Sequence, residues 1–124
     1  MNMALTALCL TACFLCKDAV AGAAQQAAAG TPDSTVIVML GTGTPRPLPD
    51  VWGPATAVVV GKRVFLVDAG VGVERRLAAA GLPVNGVTAV LITHLHSDHV
   101  LGLADLIFTS WVVGRSKPFP VCAS

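Results

Sequence analysis

A chain of 124 residues is long enough for one domain and no more, and a net charge of +1 leaves no basic footprint for nucleic acid or an anionic membrane. Apolar residues make up 54% and charged residues 12%, but the apolar excess sits in the first thirty positions, where Lys17 and Asp18 are the only charges. Those two cancel, so the remainder keeps the same balance and reads as ordinary globular sequence.

Residues 1–23 resemble a secretory signal peptide. Ala4 to Cys16 carries no charge and is too short for a membrane span, which needs roughly 20 residues. Small residues follow, and both Ala19-Val20-Ala21 and Ala21-Gly22-Ala23 suit a cleavage site, although no Lys or Arg precedes the apolar run. The expected location is periplasmic or secreted, with no transmembrane segment once the signal is removed. Leu10-Thr11-Ala12-Cys13 offers the alternative of a lipoprotein anchored through Cys13. Cys9, Cys13 and Cys16 all lie in this head, which leaves Cys122 alone in the body and rules out an internal disulfide there.

Residues 24–34, rich in Ala, Gln, Gly and Pro, have little to bury and read as a linker to a body spanning 35–124. Val36 to Leu40 is a β-branched run, expected to be a buried strand, that stops at Gly41-Thr42-Gly43-Thr44-Pro45. Ala55–Val60 and Arg63–Val67 flank Gly61-Lys62 as a hairpin with a two-residue turn. Val71 to Ala80 fits a short helix closed by Gly81 and Pro83, with Val71, Leu77 and Ala78 on its inner side. Val87 to Thr93 is almost continuously apolar, as a strand buried on both faces would be. A helix is expected from Val100 to about Val113, ended by Gly114, and Phe119 to Cys122 is expected to begin another strand. Trp52 and Trp111 read as packing residues, with Trp52 in a loop where it can also meet a ligand.

The chemistry concentrates in one hexapeptide. His94 and His96, two apart in extended backbone just past a strand, project to one side and can chelate one metal. Asp98 and His99 add oxygen and nitrogen donors where the chain turns, and imidazole with carboxylate is the set zinc prefers. Four donors within six residues crowd a single ion, which hints at two. The bland alternative, Asp98 as a helix cap, leaves unexplained why all three histidines of the chain fall beside it. Gly41-Thr42-Gly43 does not make a phosphate loop, since no third Gly follows and Pro45 and Pro47 oppose a helix start.

His94-x-His96-x-Asp98-His99 after an apolar strand resembles the signature of the metallo-β-lactamase superfamily. Leu40 to Pro45, Val67-Asp68-Ala69-Gly70 and Thr93 to Leu103 look like its ribonuclease Z and arylsulfatase-like branch, with Ser97 where ribonuclease Z more usually has Gly. The resemblance implies an α/β fold, the N-terminal half of an αββα sandwich. It implies that His94 and His96 hold a first zinc and Asp98 and His99 a second, that Asp98 also orients the attacking water, and that Asp68 supports the ligands from behind. Such a site hydrolyses an ester, sulfate ester or phosphodiester. A ribonuclease Z-like endoribonuclease is the alternative within the branch, and an iron-dependent redox protein or a noncatalytic metal binder lies outside it. In relatives a further His, a bridging Asp and a last His come from later segments. The expected state of this chain is therefore an N-terminal part, inactive by itself.

Overall fold

The computed structural model describes residues 34–123; the expected signal segment and residues 24–33 of the expected linker lie outside the described residues. Five strands form one sheet: β1 (Thr35–Gly41), β2 (Ala55–Val60), β3 (Arg63–Val67), β4 (Val87–Ile92) and β5 (Val121–Ala123), in that spatial order. β1, β2 and β3 run antiparallel, and β3, β4 and β5 run parallel. The hairpin lies where its alternation places it, with Gly61 at φ 59 taking the left-handed turn position.

Parallel neighbours require crossovers, and helical connections supply both of them. α1 (Val73–Ala79) links β3 to β4, while α2 (Ser97–Val100) and α3 (Leu103–Val112) link β4 to β5. α1 packs against both α3 and β1. The longer helices end alike: Leu82 N–H reaches Leu77 O at 2.9 Å and Arg115 N–H reaches Ser110 O at 2.9 Å, around left-handed Gly81 and Gly114. The core lies on the helix side of the sheet, where Ala57, Leu66 and Val90 meet Leu77 and Leu106.

Several expectations are corrected. β1 is an edge strand rather than a buried one, with Ile37 66% and Met39 59% exposed on the face away from the helices. β4 is covered on one face only, since Leu91 is exposed while Val90 and Ile92 are buried. The inner stripe of α1 is Val73, Glu74 and Leu77; Val71 and Ala78 are exposed, because the helix starts two residues later and is turned accordingly. The helix expected from Val100 is broken at Leu101-Gly102, where the backbone meets another loop. Trp111 is 71% exposed and packs no core. β5 shares only Val121 and Cys122 with the expected stretch and runs on to Ala123, and Cys122 is exposed and free. Among the described residues no helix is long and apolar enough to cross a membrane.

Candidate metal centre

Val67 pairs with Leu91, so β3 and β4 end side by side, and the two loops that leave them are neighbours at the carboxyl end of the parallel strands. In open α/β sheets that is where ligands bind. Asp68 follows β3 directly. Its N–H donates to Leu91 O at 2.9 Å, and its backbone then turns at φ 63, a conformation uncommon for a residue with a Cβ. The turn places its carboxylate between the strand ends, where Thr93 donates to Oδ1 through both N–H, at 2.8 Å, and hydroxyl, at 2.9 Å.

His99 joins the same carboxylate. Its Nδ1 lies 2.8 Å from Asp68 Oδ2, and Ala69 N–H donates to His99 O at 2.8 Å, so one loop fixes both ring and backbone. Burial pushes the Asp68 carboxyl pKa up, but the Thr93 N–H, the His99 ring and the Thr93 hydroxyl pull it down further, and the group is held below its usual value. Asp68 is 7% exposed, so its carboxylate faces the strand ends rather than solvent.

An ionised Asp68 also orders two histidines. A carboxylate only accepts, so His99 must donate from Nδ1, leaving the Nε2 lone pair open. The single hydroxyl proton of Thr93 goes to Asp68, and Thr93 Oγ1 therefore accepts from His94 Nδ1 at 2.9 Å. His94 Nε2 then keeps its lone pair, which faces His96 Nδ1. These tautomers follow from the hydrogen-bond pattern. Thr93, the relay between Asp68 and His94, was not anticipated from sequence; the only local signal is a hydroxyl ending an apolar strand immediately before the first histidine.

The open nitrogen of His94 lies 3.1 Å from His96 Nδ1. Two nitrogens on one tetrahedral zinc, each at about 2.0–2.1 Å, stand roughly 3.3 Å apart. His99 Nε2 lies 3.7 Å from Asp98 Oδ2, and the His94 and His99 rings are 4.0 Å apart between centroids. The donors thus stand as two neighbouring pairs, and among the described residues no three His, Cys, Asp or Glu side chains form a ready cage for one ion. Asp98 does not cap a helix: α2 begins after His96 with no side-chain cap, and Asp98 Oδ1 is buried without a hydrogen-bond partner. A buried acceptor left unpaired costs about 1–3 kcal/mol, and a bound cation would remove that cost. The donor set fits zinc on these two observations.

Glycines let the loops approach. A Cβ on Gly102 would collide with Gly70 O, and one on Gly70 would lie 2.6 Å from Asp98 O. Gly102 N–H donates to Ala69 O at 2.9 Å across the same junction. Beside Ser97 and Asp98 lies a cleft of about 620 Å³, overhung by the Pro-rich loop between β1 and β2.

The family model described as metallo-beta-lactamase superfamily matches residues 50–119. Ribonuclease Z of Mycobacterium marinum is 57% identical over 86 residues, 68% of this chain and 31% of the relative. Ribonuclease Z of Mycobacterium bovis is 55% identical over the same shares. The chain therefore spans about a third of the length of the curated relatives it matches. Among solved structures, the short form of human tRNase Z superposes with a TM-score of 0.62 at 30% identity, over 71% of this chain and 34% of that one. A metallo-beta-lactamase fold protein from Bacillus subtilis reaches 0.64 at 24% identity, over 72% and 36%, a likeness of fold alone.

Proposed function

The chain belongs to the metallo-beta-lactamase superfamily, and from that premise we propose that it carries the metal loop of a zinc-dependent phosphodiester hydrolase of the ribonuclease Z kind. The observation that carries the hydrolase reading is the arrangement of donors: His94 Nε2 beside His96 Nδ1, and His99 Nε2 beside Asp98, whose Oδ1 is buried without a hydrogen-bond partner. The ribonuclease Z relatives support phosphodiester over the broader choice of ester or sulfate ester.

Bound zinc supplies Lewis-acid polarisation of a phosphoryl oxygen and water of lowered pKa. The residues do the rest. His94 and His96 would hold one ion, and Asp98 and His99 the other. Asp98 would also accept a hydrogen bond from the attacking water and so aim it. Asp68, directly and through Thr93, holds two imidazoles in the tautomer that offers Nε2.

The test pairs zinc retention by this chain, by equilibrium dialysis with elemental analysis, with cleavage of bis(p-nitrophenyl) phosphate by a protein that also carries the later segments expected to complete the site. We expect zinc to be retained by the parent and lost in the His94→Ala/His96→Ala double variant, and cleavage to stop when a chelator is added. Equal zinc in parent and double variant would overturn the ligand assignment, and turnover of p-nitrophenyl sulfate or acetate without the diester would overturn the substrate class. Export is a separate proposal, resting on residues 1–23. Mass spectrometry of the exported protein should find an N-terminus near Gly22 or Ala24; an intact Met1 on a cytosolic protein rejects export, and a lipidated Cys13 establishes the lipoprotein.

A further inference from the structure

The cleft beside the metal loop has a composition of its own. Pro45, Pro47, Leu48 and Val51 of the overhanging loop and Val71 and Leu101 of the body make its lining largely apolar, and Arg46 is the single cation among the lining residues. Ser97 and Asp98 line it too, so whatever occupies it lies against the proposed metal ligands.

Trp52 is fixed in this lining. Trp52 O accepts from Gly43 N–H at 2.8 Å, and the next residue, Gly53, donates its N–H to Val71 O at 3.1 Å. The six-membered ring of the indole lies where a side chain on Gly72 would be, a position open only because Gly72 has none and takes φ 81. The result is a large aromatic surface held on backbone, 37% exposed, at the wall of a cleft. Arg46 is exposed, with a guanidinium suited to a phosphate.

We propose that the cleft is a nucleotide subsite, in which Trp52 stacks the base adjoining the scissile phosphodiester and Arg46 pairs with a phosphate oxygen. The inference rests on the phosphodiester reading above and names the part of the substrate that this chain recognises. A planar ring with an adjacent anion uses both special residues of the lining. A short ester would leave the apolar walls unfilled, and a purely apolar ligand would bury Arg46 without a partner. The volume falls in the range of small-ligand pockets, roughly 300–1,000 Å³.

Binding to the full chain with metal removed separates this idea from hydrolysis. Trp111 is the only other tryptophan, and it is 71% exposed, so Trp111→Phe leaves Trp52 as sole reporter. Adenosine monophosphate should quench its fluorescence saturably, and ribose 5-phosphate and inorganic phosphate should not. By equilibrium dialysis, Trp52→Ala should weaken adenosine monophosphate binding by about ten-fold or more, the usual worth of a base stacked on an aromatic side chain. Arg46→Ala, at an exposed position, should weaken it by several-fold with the circular dichroism of the parent. Equal affinity for ribose 5-phosphate, absence of quenching, or unchanged binding in Arg46→Ala would each overturn the subsite. Those results would leave zinc binding and diester cleavage, the tests of the underlying reading, untouched.

Discussion

Thr93 and Asp68 touch no substrate, yet the orientation of His94 and His99 depends on them, and that makes them testable apart from the ligands. Thr93→Val keeps the shape and removes the hydroxyl that donates to Asp68 and accepts from His94. Zinc affinity is expected to fall about ten-fold or more, as when other orienting partners of ligands are lost, while Thr93→Ser retains near-parent affinity. Equal affinity in the Val variant would show that His94 finds its tautomer unaided. Asp68→Asn is expected to act more severely. An amide NH₂ cannot accept from His99 Nδ1, and turning its oxygen there points the NH₂ at the Thr93 N–H, so one buried group goes unpaired. Thermal unfolding of the metal-free protein should show a loss of about 1–3 kcal/mol, in addition to weaker zinc.

Elements were legible where the signal is local, and illegible where a distant contact decides. The β2–β3 hairpin follows from alternation around Gly61-Lys62, and Gly81 and Gly114 end their helices as expected. The break at Gly102 does not, because its cause is the carbonyl of Gly70, brought there by the β3–β4 pairing. Nor does sequence say that β1 is an edge, since a β-branched run reads the same in either place. The two glycines should therefore respond differently to alanine. Gly114→Ala, with open space around it but φ 98, is expected to cost about 1–2 kcal/mol. Gly102→Ala, whose φ is ordinary at −80, is expected to cost more, because a backbone carbonyl must shift at the metal loop. Comparable losses of denaturation midpoint would refute the contact argument. Glu74 is a second surprise of this scale: it lies on the inner stripe of α1 with Oε2 unpartnered. Its ion pair with Arg75, which is 75% exposed at 3.3 Å, is worth little. Glu74→Gln is expected to raise stability by about 1 kcal/mol, and a lower midpoint would show that the charge has a function.

At the scale of the molecule, the site was legible because all four proposed ligands come from one hexapeptide, whereas Asp68 pairs with His99 across 31 positions and was visible only through the family resemblance. What no local reading supplies is how the remaining surfaces are distributed. Both helical crossovers cover one side of the sheet, and the other side carries rows that are apolar but for Thr56. Ile37, Val58, Phe65 and Ala89 are successive partners across four strands, and Met39, Thr56, Val67, Leu91 and Cys122 across five. A largely apolar sheet face of this kind drives association, and with a net charge of only +1 little repulsion opposes it. Trp111, Phe108 and Val112 are individually more exposed, at 71%, 67% and 76%, but they sit on a single helix and present a narrower patch. Sedimentation velocity over a range of concentrations should therefore show reversible or aggregating association of the chain. Ile37→Lys, which projects a charge into the sheet face without disturbing the core, is expected to shift the distribution toward monomer. Trp111→Lys is expected to leave most of the association in place. A monomer at every concentration would remove the premise, and rescue by Trp111→Lys with none by Ile37→Lys would move the associating surface from the sheet to α3.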